Sequence, residues 1–274
     1  AGRTVAFATV FYAYVRNLDA PQSDQIARFT GRAGVRTHTT RAYEPTLAGN
    51  ASSVAFHSNS TRLHPADTDT GSDVFVRDLI GEKTQLVSRS SGEATSSAGG
   101  ASFVEGIDGD GSRVLFRSNS DELAPNTDTP YAGDLFVRDV HRRKTRLVSE
   151  DLPGPRRLER EGVRSAAISG SGRFVAFSYT LREGKRNRRD HVFCADLESG
   201  NVVEVRALRG ASEGGGVRPE VELALSRDGR WITAKTNRAL GSAATGRDAD
   251  VYLIRRPTLD AFLGRSAKGS TPSR

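Results

Sequence analysis

The sequence lacks the residues that mark a disulfide-bonded domain or a membrane-spanning helix. Its 274 residues include one cysteine, Cys194, and no methionine. A single cysteine excludes an internal disulfide, so cysteine usage does not indicate a cellular compartment. No apolar run approaches the roughly 20 residues that a membrane-spanning helix needs. We therefore expect no membrane span and a fold that depends on an ordinary hydrophobic core.

Recognisable catalytic motifs are also missing. There is no G-x-S-x-G nucleophile elbow, and the closest string, Gly170-Ser171-Gly172, is one of a series of repeated turns. The histidines form neither an H-E-x-x-H motif nor another paired ligand spacing. They are His38, His57, His64, His141 and His191. We predict a non-enzymatic chain with no catalytic residues, and no cofactor apart from the cation considered below.

Aromatic residues make up only 7% of the sequence, although its net charge is +7. Basic residues cluster at 142–144, 156–160 and 182–189. The first cluster lies in a predicted short turn and the other two in predicted long connections, and no aromatic ladder accompanies them for base stacking. The clusters therefore indicate solvated loop charge, and we expect no nucleic-acid partner.

What the sequence does contain is a long repeat. Residues 52–88 (SSVAFHSNSTRLHPADTDTGSDVFVRDLIGEKTQLVS) match residues 111–149 (GSRVLFRSNSDELAPNTDTPYAGDLFVRDVHRRKTRLVS). A first apolar segment begins at Val5, Val54, Val114, Val175 and Ile232. A second covers 12–18, 73–79, 134–140, 191–197 and 250–256. A third covers 25–30, 84–88, 145–149 and 202–207. Such a fixed period predicts a repeat architecture.

A fourth segment precedes a predicted tight turn in each of the later units. Its copies cover 46–52, 106–112, 167–173 and 224–230, and they align Leu47, Ile107, Ile168 and Leu225. The Gly, Asn and Asp residues that follow these four positions favour the positive φ angles of hairpin turns. Each unit thus reads as four short strands separated by turn residues.

The strands carry consecutive apolar residues, such as Val74, Phe75 and Val76. Because side chains alternate between faces, both faces of each sheet must be covered. Radially stacked blades of a β-propeller meet this demand. The repeats begin 49 to 61 residues apart, more than the 40 to 45 of a compact blade, so extra residues must form long connections. We place these in two sets that emerge on one face, the long-loop face. The sets are 57–72, 117–133, 178–190 and 235–249, and 31–43, 89–101, 150–164 and 208–220.

The alignment also assigns places in the core. We expect Val54, Val114 and Val175 to occupy equivalent positions in the second strands of successive blades. We expect their neighbours Phe75, Phe136 and Phe193 to pack between adjacent blades. Cys194 stands where the repeat has Val76 and Val137, so it should act as a small hydrophobic residue in a blade interior.

The pattern S-N-S-x-x-L-x-P, followed by D-x-F-V-R-D and T-x-L-V-S, resembles the TolB-type, WD-repeat-like β-propeller repeats of bacteria. The resemblance extends to about Arg256 and is weakest in the fifth unit. It implies an all-β propeller of four-stranded blades, about five of them partial or complete, and is compatible with a piece of a ring of six or more. The implied domain covers 1–256, with a polar tail at 257–274. Its units cover 1–30, 43–88, 102–149, 163–207 and 220–256.

The resemblance also carries expectations about function. Propellers of this type are commonly extracytoplasmic and bind protein or polysaccharide partners without chemistry of their own. We therefore expect a periplasmic, cell-envelope or secreted chain that binds a protein or glycan partner through the long-loop face. Others are gating domains of prolyl-oligopeptidase-like serine peptidases, so the chain is alternatively the propeller part of a larger enzyme. The first unit lacks an inner strand and the fifth an outer one, which predicts exposed strand edges near 1–7 and 250–255.

The acidic string DTDTGSD, which contains Asp67, Asp69 and Asp73, has two possible interpretations. Alternating carboxylates with a glycine resemble an oxygen-rich Ca²⁺ loop. The string nevertheless lacks the distal Glu of an EF-hand, and its counterpart between Asp128 and Asp134 has one carboxylate fewer. Structural capping of the long connection by Asp and Thr side chains explains the same residues without a metal, and is the favoured reading.

Other aspartates recur with the repeat itself. Asp73, Asp134 and Asp250 are the first residues of the second segment, and Asp78, Asp139 and Asp196 lie next to its end. Recurrence in several units is expected of residues with a structural hydrogen-bonding role at strand ends.

Overall fold

The computed structural model describes residues 3–8, 13–19, 27–28, 42–92, 99–124, 133–150, 152, 159–183, 187–205, 221–236 and 250–256. All regular secondary structure in these residues is β-strand, arranged as five antiparallel sheets. Within the described part of the chain there is no helix with the length and apolar character needed to cross a bilayer.

Each sheet consists of strands that follow one another along the chain. Sheet 1 contains β1 (Thr4–Ala8), β2 (Ala13–Asn17) and β3 (Ala27–Arg28). Sheet 2 contains β4 (Ala42–Leu47), β5 (Ser53–Ser58), β6 (Asp73–Asp78) and β7 (Thr84–Leu86). Sheet 3 contains β8 (Ser102–Ile107), β9 (Arg113–Ser118), β10 (Asp134–Asp139) and β11 (Lys144–Leu147). Sheet 4 contains β12 (Glu159–Ile168), β13 (Phe174–Glu183), β14 (Asn187–Asp196) and β15 (Val202–Glu204). Sheet 5 contains β16 (Val221–Leu225), β17 (Trp231–Thr236) and β18 (Asp250–Arg255).

The register confirms the alignment of the repeats. Val54, Val114 and Val175 each pair with the last apolar residue of the preceding strand, at Leu47, Ile107 and Ile168. All three valines are fully buried. Leu225 and Ile232 form the same pair in sheet 5, so the weaker fifth unit folds in the same way.

The core lies between the sheets. Phe75 clusters with Ala13 and Val15 of sheet 1. Phe136 clusters with Val74 and Val76 of sheet 2. A third cluster joins Phe193 to Leu135 and Val137 of sheet 3, and a fourth joins Cys194 to Ile232 and Ala234 of sheet 5. Each sheet is therefore covered on the face it turns to its neighbour, as predicted for propeller blades.

The innermost turns are hydrogen-bonded to one another across successive sheets. The amide of Asn50 donates to the carbonyl of Gly109 (2.9 Å), that of Gly109 to Gly170 (2.9 Å), and that of Ser171 to Arg227 (2.8 Å). A Cβ on Gly109 would lie 2.5 Å from the Gly170 carbonyl oxygen, so the close approach requires glycine. We call this series the turn ladder.

A positive φ recurs at one position of these turns. Gly111, Gly172 and Gly229 have φ of 82°, 70° and 68°, as the turn composition predicts. In the first turn of the series the same place is taken by Ala51, with φ of 59°. Ala51 therefore carries the strain that glycine avoids elsewhere.

The prediction of a long connection at 178–190 was wrong. β13 continues to Glu183 and β14 begins at Asn187, and their pairing includes Tyr179 with His191. Tyr179 is fully buried, which holds this hairpin against the core. β12 likewise begins at Glu159, inside the predicted connection 150–164. The predicted tail at 257–274 lies outside the described residues.

Among the strands described, β1 pairs only with β2 and β18 only with β17. Val251 and Leu253 of β18 are 72% and 65% exposed. These features agree with the expected exposed edges.

Candidate functional site

The two sets of long connections meet at one end of sheets 2 and 3. The amide of Ser102 donates to the carbonyl oxygen of Ser72, at 2.6 Å. A Cβ on Gly71 would lie 2.8 Å from the Gly100 carbonyl oxygen. The connection between β5 and β6 is therefore packed against the one between β7 and β8, as predicted for the long-loop face.

The structure brings together the three aspartates of the acidic string. Asp67, Asp69 and Asp73 each offer a carboxylate oxygen, and these oxygens lie within 4.8 Å of one another. Asp67 and Asp73 are buried, with 5% and 0% of their surface exposed, whereas Asp69 is half-buried. We call this group the acidic cluster. It lies where the long connection enters β6.

Part of the cluster does cap the backbone. Asp69 Oδ1 accepts a hydrogen bond from the Gly71 amide (2.6 Å). Asp73 Oδ1 accepts one from Ser88 Oγ (2.5 Å), and that hydroxyl accepts in turn from the Val74 amide (3.0 Å). Two further oxygens, Asp67 Oδ1 and Asp73 Oδ2, are buried and accept no hydrogen bond. Capping therefore accounts for only part of the cluster.

Burial also disfavours the charged forms of these groups. Burial, together with the nearby carboxylates of Asp67 and Asp69, raises the pKa of Asp73 to about 7, against the lowering effect of the Ser88 hydrogen bond. Burial and the Asp69 carboxylate raise the pKa of Asp67 to about 6. The repulsion between two carboxylates held close together away from water is reduced when one of them is protonated or when a cation binds between them.

The remaining recurrent aspartates have the predicted structural role. Asp134 accepts from Ser149 Oγ (2.8 Å), as Asp73 does from Ser88 in sheet 2. Asp78 accepts from the amides of Ile80 and Gly81, and Asp139 from that of Arg142. Asp196 accepts from the amide of Glu198. The side chain of Asp250 lies outside the described residues.

A second candidate site is a cleft of about 310 Å³ between sheets 2 and 3. Four cationic side chains line it, and the described lining residues include no Asp or Glu. The four are Lys83, Arg89, Arg138 and Arg143. His64, from one set of long connections, and Arg89, from the other, both contribute. We call it the cationic cleft.

Arg138 anchors the cleft. It is 4% exposed, and its Nη1 donates to the carbonyl oxygens of Arg89 (3.0 Å) and Ser90 (3.1 Å) and to Thr145 Oγ1 (2.8 Å). Burial and the neighbouring Arg89 and Arg143 lower its pKa to about 10, so it remains charged at neutral pH. Arg89 Nε is buried and has no hydrogen-bond acceptor. The cleft thus presents positive charge that an anionic group would neutralise.

Sequence reasoning missed this cleft because its residues lie far apart in the chain. Only Arg143 belongs to a basic cluster identified from sequence, that at 142–144. Its neighbour Arg142 pairs instead with Asp139, at 2.9 Å. The available signal was the period itself, because stacked blades bring residues one repeat apart into contact. The side chains of the other two basic clusters lie outside the described residues.

Among the described residues, the others singled out from sequence do not form a common site. Cys194 is buried, and burial raises its pKa to about 12, which suits the predicted hydrophobic role. His57 packs edge-on against Phe103 in sheets 2 and 3, while His191 Nδ1 lies 2.7 Å from Glu204 Oε1 in sheet 4. Ser171 belongs to the turn ladder, as expected of a repeated hairpin.

Comparisons with known proteins identify the fold. No protein-family model matches the chain. No curated protein is similar to it in sequence. The tricorn protease superposes with a TM-score of 0.52 and 13% identity, over 99% of this chain and 23% of its own. A putative TolB from Agrobacterium tumefaciens superposes with a TM-score of 0.42 and 16% identity, over 78% of this chain and 58% of its own. A prolyl endopeptidase superposes with a TM-score of 0.45 and 13% identity, over 78% of this chain and 28% of its own. The chain thus spans about a quarter of the length of the tricorn protease. Its fold is a β-propeller of antiparallel, mainly four-stranded blades.

Proposed function

We propose that this chain is a non-catalytic, TolB-type propeller module that binds a protein or glycan partner through an anionic group. The observation that carries the proposal is the cationic cleft, where four cations and no described carboxylate line one cavity. Residues 1–256 form the module, and its place of action is extracytoplasmic. The repeat pattern described above supports both the bounds of the module and its extracytoplasmic location.

The chemistry of the cleft favours a carboxylate or sulfate as the bound group. Arginine side chains present several donors to anions that have more than one acceptor oxygen, and a desolvated charge pair is stronger than an exposed one. Val76, Leu86, Val87 and Val140 supply apolar lining beside the charges. A partner with an acidic group next to an apolar surface fits this combination, either as an acidic peptide or as an acidic polysaccharide.

Binding is tested by fluorescence anisotropy with two labelled anionic probes, an oligoglutamate peptide and an oligogalacturonate, and with neutral dextran as reference. We expect one anionic probe to bind at physiological salt and dextran not to bind. Preference for the peptide or the saccharide distinguishes the two kinds of partner. Equal binding of dextran would contradict the proposal, and tight, steeply salt-dependent binding of DNA would replace it with a nucleic-acid scaffold.

The repeat provides a matched pair of variants. Lys83 lines the cleft, and Lys144 holds the equivalent position in the next blade but does not line it. Both are exposed, so neither variant should affect folding. Lys83→Ala should weaken binding about tenfold, the effect of losing one charge-assisted hydrogen bond. Lys144→Ala should leave it unchanged. An equal loss in both variants would indicate bulk charge attraction in place of a site.

The alternative is the propeller part of a larger serine peptidase. The superposition on the tricorn protease, of which this chain spans 23%, favours it. The discriminating observation is the full-length open reading frame. A downstream α/β-hydrolase segment would support the alternative, and further repeats behind a signal peptide would support the binding module.

A further inference from the structure

We propose that the acidic cluster is a Ca²⁺ site, formed by Asp67, Asp69 and Asp73 at the long-loop face. Ca²⁺ binds oxygen ligands at about 2.3–2.6 Å, so two ligands of one ion are separated by at most about 5 Å. The three carboxylate oxygens lie within 4.8 Å of one another and meet this condition together. One ion can therefore contact all three aspartates without a rearrangement of the loop.

The independent observation is the pair of buried oxygens that have no hydrogen-bond donor. Asp67 is 95% buried and Asp73 fully buried, yet Asp67 Oδ1 and Asp73 Oδ2 accept no hydrogen bond. An unsatisfied buried carboxylate oxygen is costly, and native structures normally provide it with a partner. A cation at the centre of the cluster would be that partner for both.

Capping alone does not explain this arrangement. The hydrogen bonds from the Gly71 amide and Ser88 Oγ each reach an Oδ1 atom, that of Asp69 and that of Asp73. They fix the orientation of these two carboxylates. The same Ser-to-Asp hydrogen bond recurs in sheet 3, between Ser149 and Asp134, so it belongs to the repeat. In sheet 2 the carboxylates of Asp67 and Asp69 lie beside the one that this hydrogen bond orients.

The ligand chemistry selects the ion. Carboxylate oxygens suit hard cations, and neither cysteine nor histidine belongs to the cluster, which disfavours zinc. The ligands come from an irregular connection and one strand end, and Ca²⁺ tolerates such irregular geometry, whereas Mg²⁺ requires a near-ideal octahedron. Backbone carbonyl groups and water would complete the coordination. None of the three aspartates lines the cationic cleft.

The test is calorimetric titration of the whole, chelator-treated chain with CaCl₂ at physiological ionic strength. We expect one site with sub-millimolar affinity, weaker binding of MgCl₂, and a Tm that rises with added Ca²⁺. Asp67→Asn keeps the shape of the side chain and removes its charge, and it should weaken Ca²⁺ binding at least tenfold. Asp69→Asn should do the same.

Asp78→Asn is the matched control, because Asp78 caps a turn at the other end of the same strand and is outside the cluster. It should leave Ca²⁺ affinity unchanged. Circular dichroism verifies that each variant is folded. Absence of Ca²⁺ binding by the folded natural chain would overturn the proposal. So would undiminished binding in folded Asp67→Asn and Asp69→Asn, or an equal loss in Asp78→Asn.

Discussion

Truncation of Phe136 to alanine examines the packing on which the blade architecture depends. The Phe136 ring is fully buried and stacks on Phe116, with ring centroids 5.5 Å apart and planes at 23°. It also belongs to a cluster that includes Val74 and Val76 of sheet 2. Removal of the ring therefore opens a cavity between two sheets and also loses a stacked aromatic pair.

These contacts determine how much unfolding free energy Phe136→Ala should lose. Deletion of a buried phenylalanine costs about 3–5 kcal/mol, and loss of the stacked pair places Phe136 in the upper part of that range. A whole domain is stable by only about 5–15 kcal/mol. The variant should therefore unfold at a much lower urea concentration than the natural chain, with a similar dependence on denaturant.

Urea titration followed by far-UV circular dichroism measures the effect. Phe136→Leu, which should lose only about 1–2 kcal/mol, provides a value in case the alanine variant does not fold. Ile80→Ala is the control, because Ile80 is 83% exposed and its truncation should change stability by less than about 0.5 kcal/mol. A loss below about 1 kcal/mol for Phe136→Ala would place the ring outside a core and refute the blade packing.

Two further predictions concern single residues. Ala51→Gly should raise the free energy of unfolding by about 0.5–1 kcal/mol, because the relief of left-handed strain exceeds the added chain entropy; a lower Tm would contradict it. Burial, with a smaller effect of Arg117, lowers the pKa of His57 to about 4. Its stabilising contribution is thus present above pH 6.5 and lost as the pH falls towards 4. Relative to His57→Phe, the natural chain should lose about 3 kcal/mol between about pH 7.5 and pH 4, and a pH-independent difference in urea titrations would refute this.

The fold could be predicted from the sequence because the repeat and the strand periodicity agree. Val54, Val114 and Val175 align in sequence, and the register pairs them in the same way. The long hairpin of β13 and β14 escaped prediction because its outer half is polar and basic and has no apolar alternation. Its position depends on tertiary burial of Tyr179, which no local pattern reveals.

The candidate sites were predicted less well, for a related reason. The spacing of the acidic string identified Asp67, Asp69 and Asp73. An acidic composition, however, is typical of a solvent-exposed loop and does not predict burial. The connection that carries Asp67 packs against the start of the next sheet, where the Ser102 amide donates to the Ser72 carbonyl oxygen, and the local sequence does not reveal that contact. The cationic cleft arises between blades, where Lys83 and Arg143 come from turns 60 positions apart. Contacts of this kind appear only when the repeats are stacked.

The turn ladder has a consequence for how such a chain can gain or exchange blades. Every donor in it points in the same direction around the series, from Asn50 to Gly109, from Gly109 to Gly170 and from Ser171 to Arg227. A middle blade therefore receives one hydrogen bond and gives one, through backbone atoms that do not depend on the rest of its sequence. Both middle blades, sheets 3 and 4, place a glycine at this junction, Gly109 and Gly170, where a Cβ would collide with the next turn. A duplicated unit that keeps this glycine would form the same kind of backbone hydrogen bond to both neighbours, so the ladder favours growth of the array by whole blades as far as the inner turns are concerned.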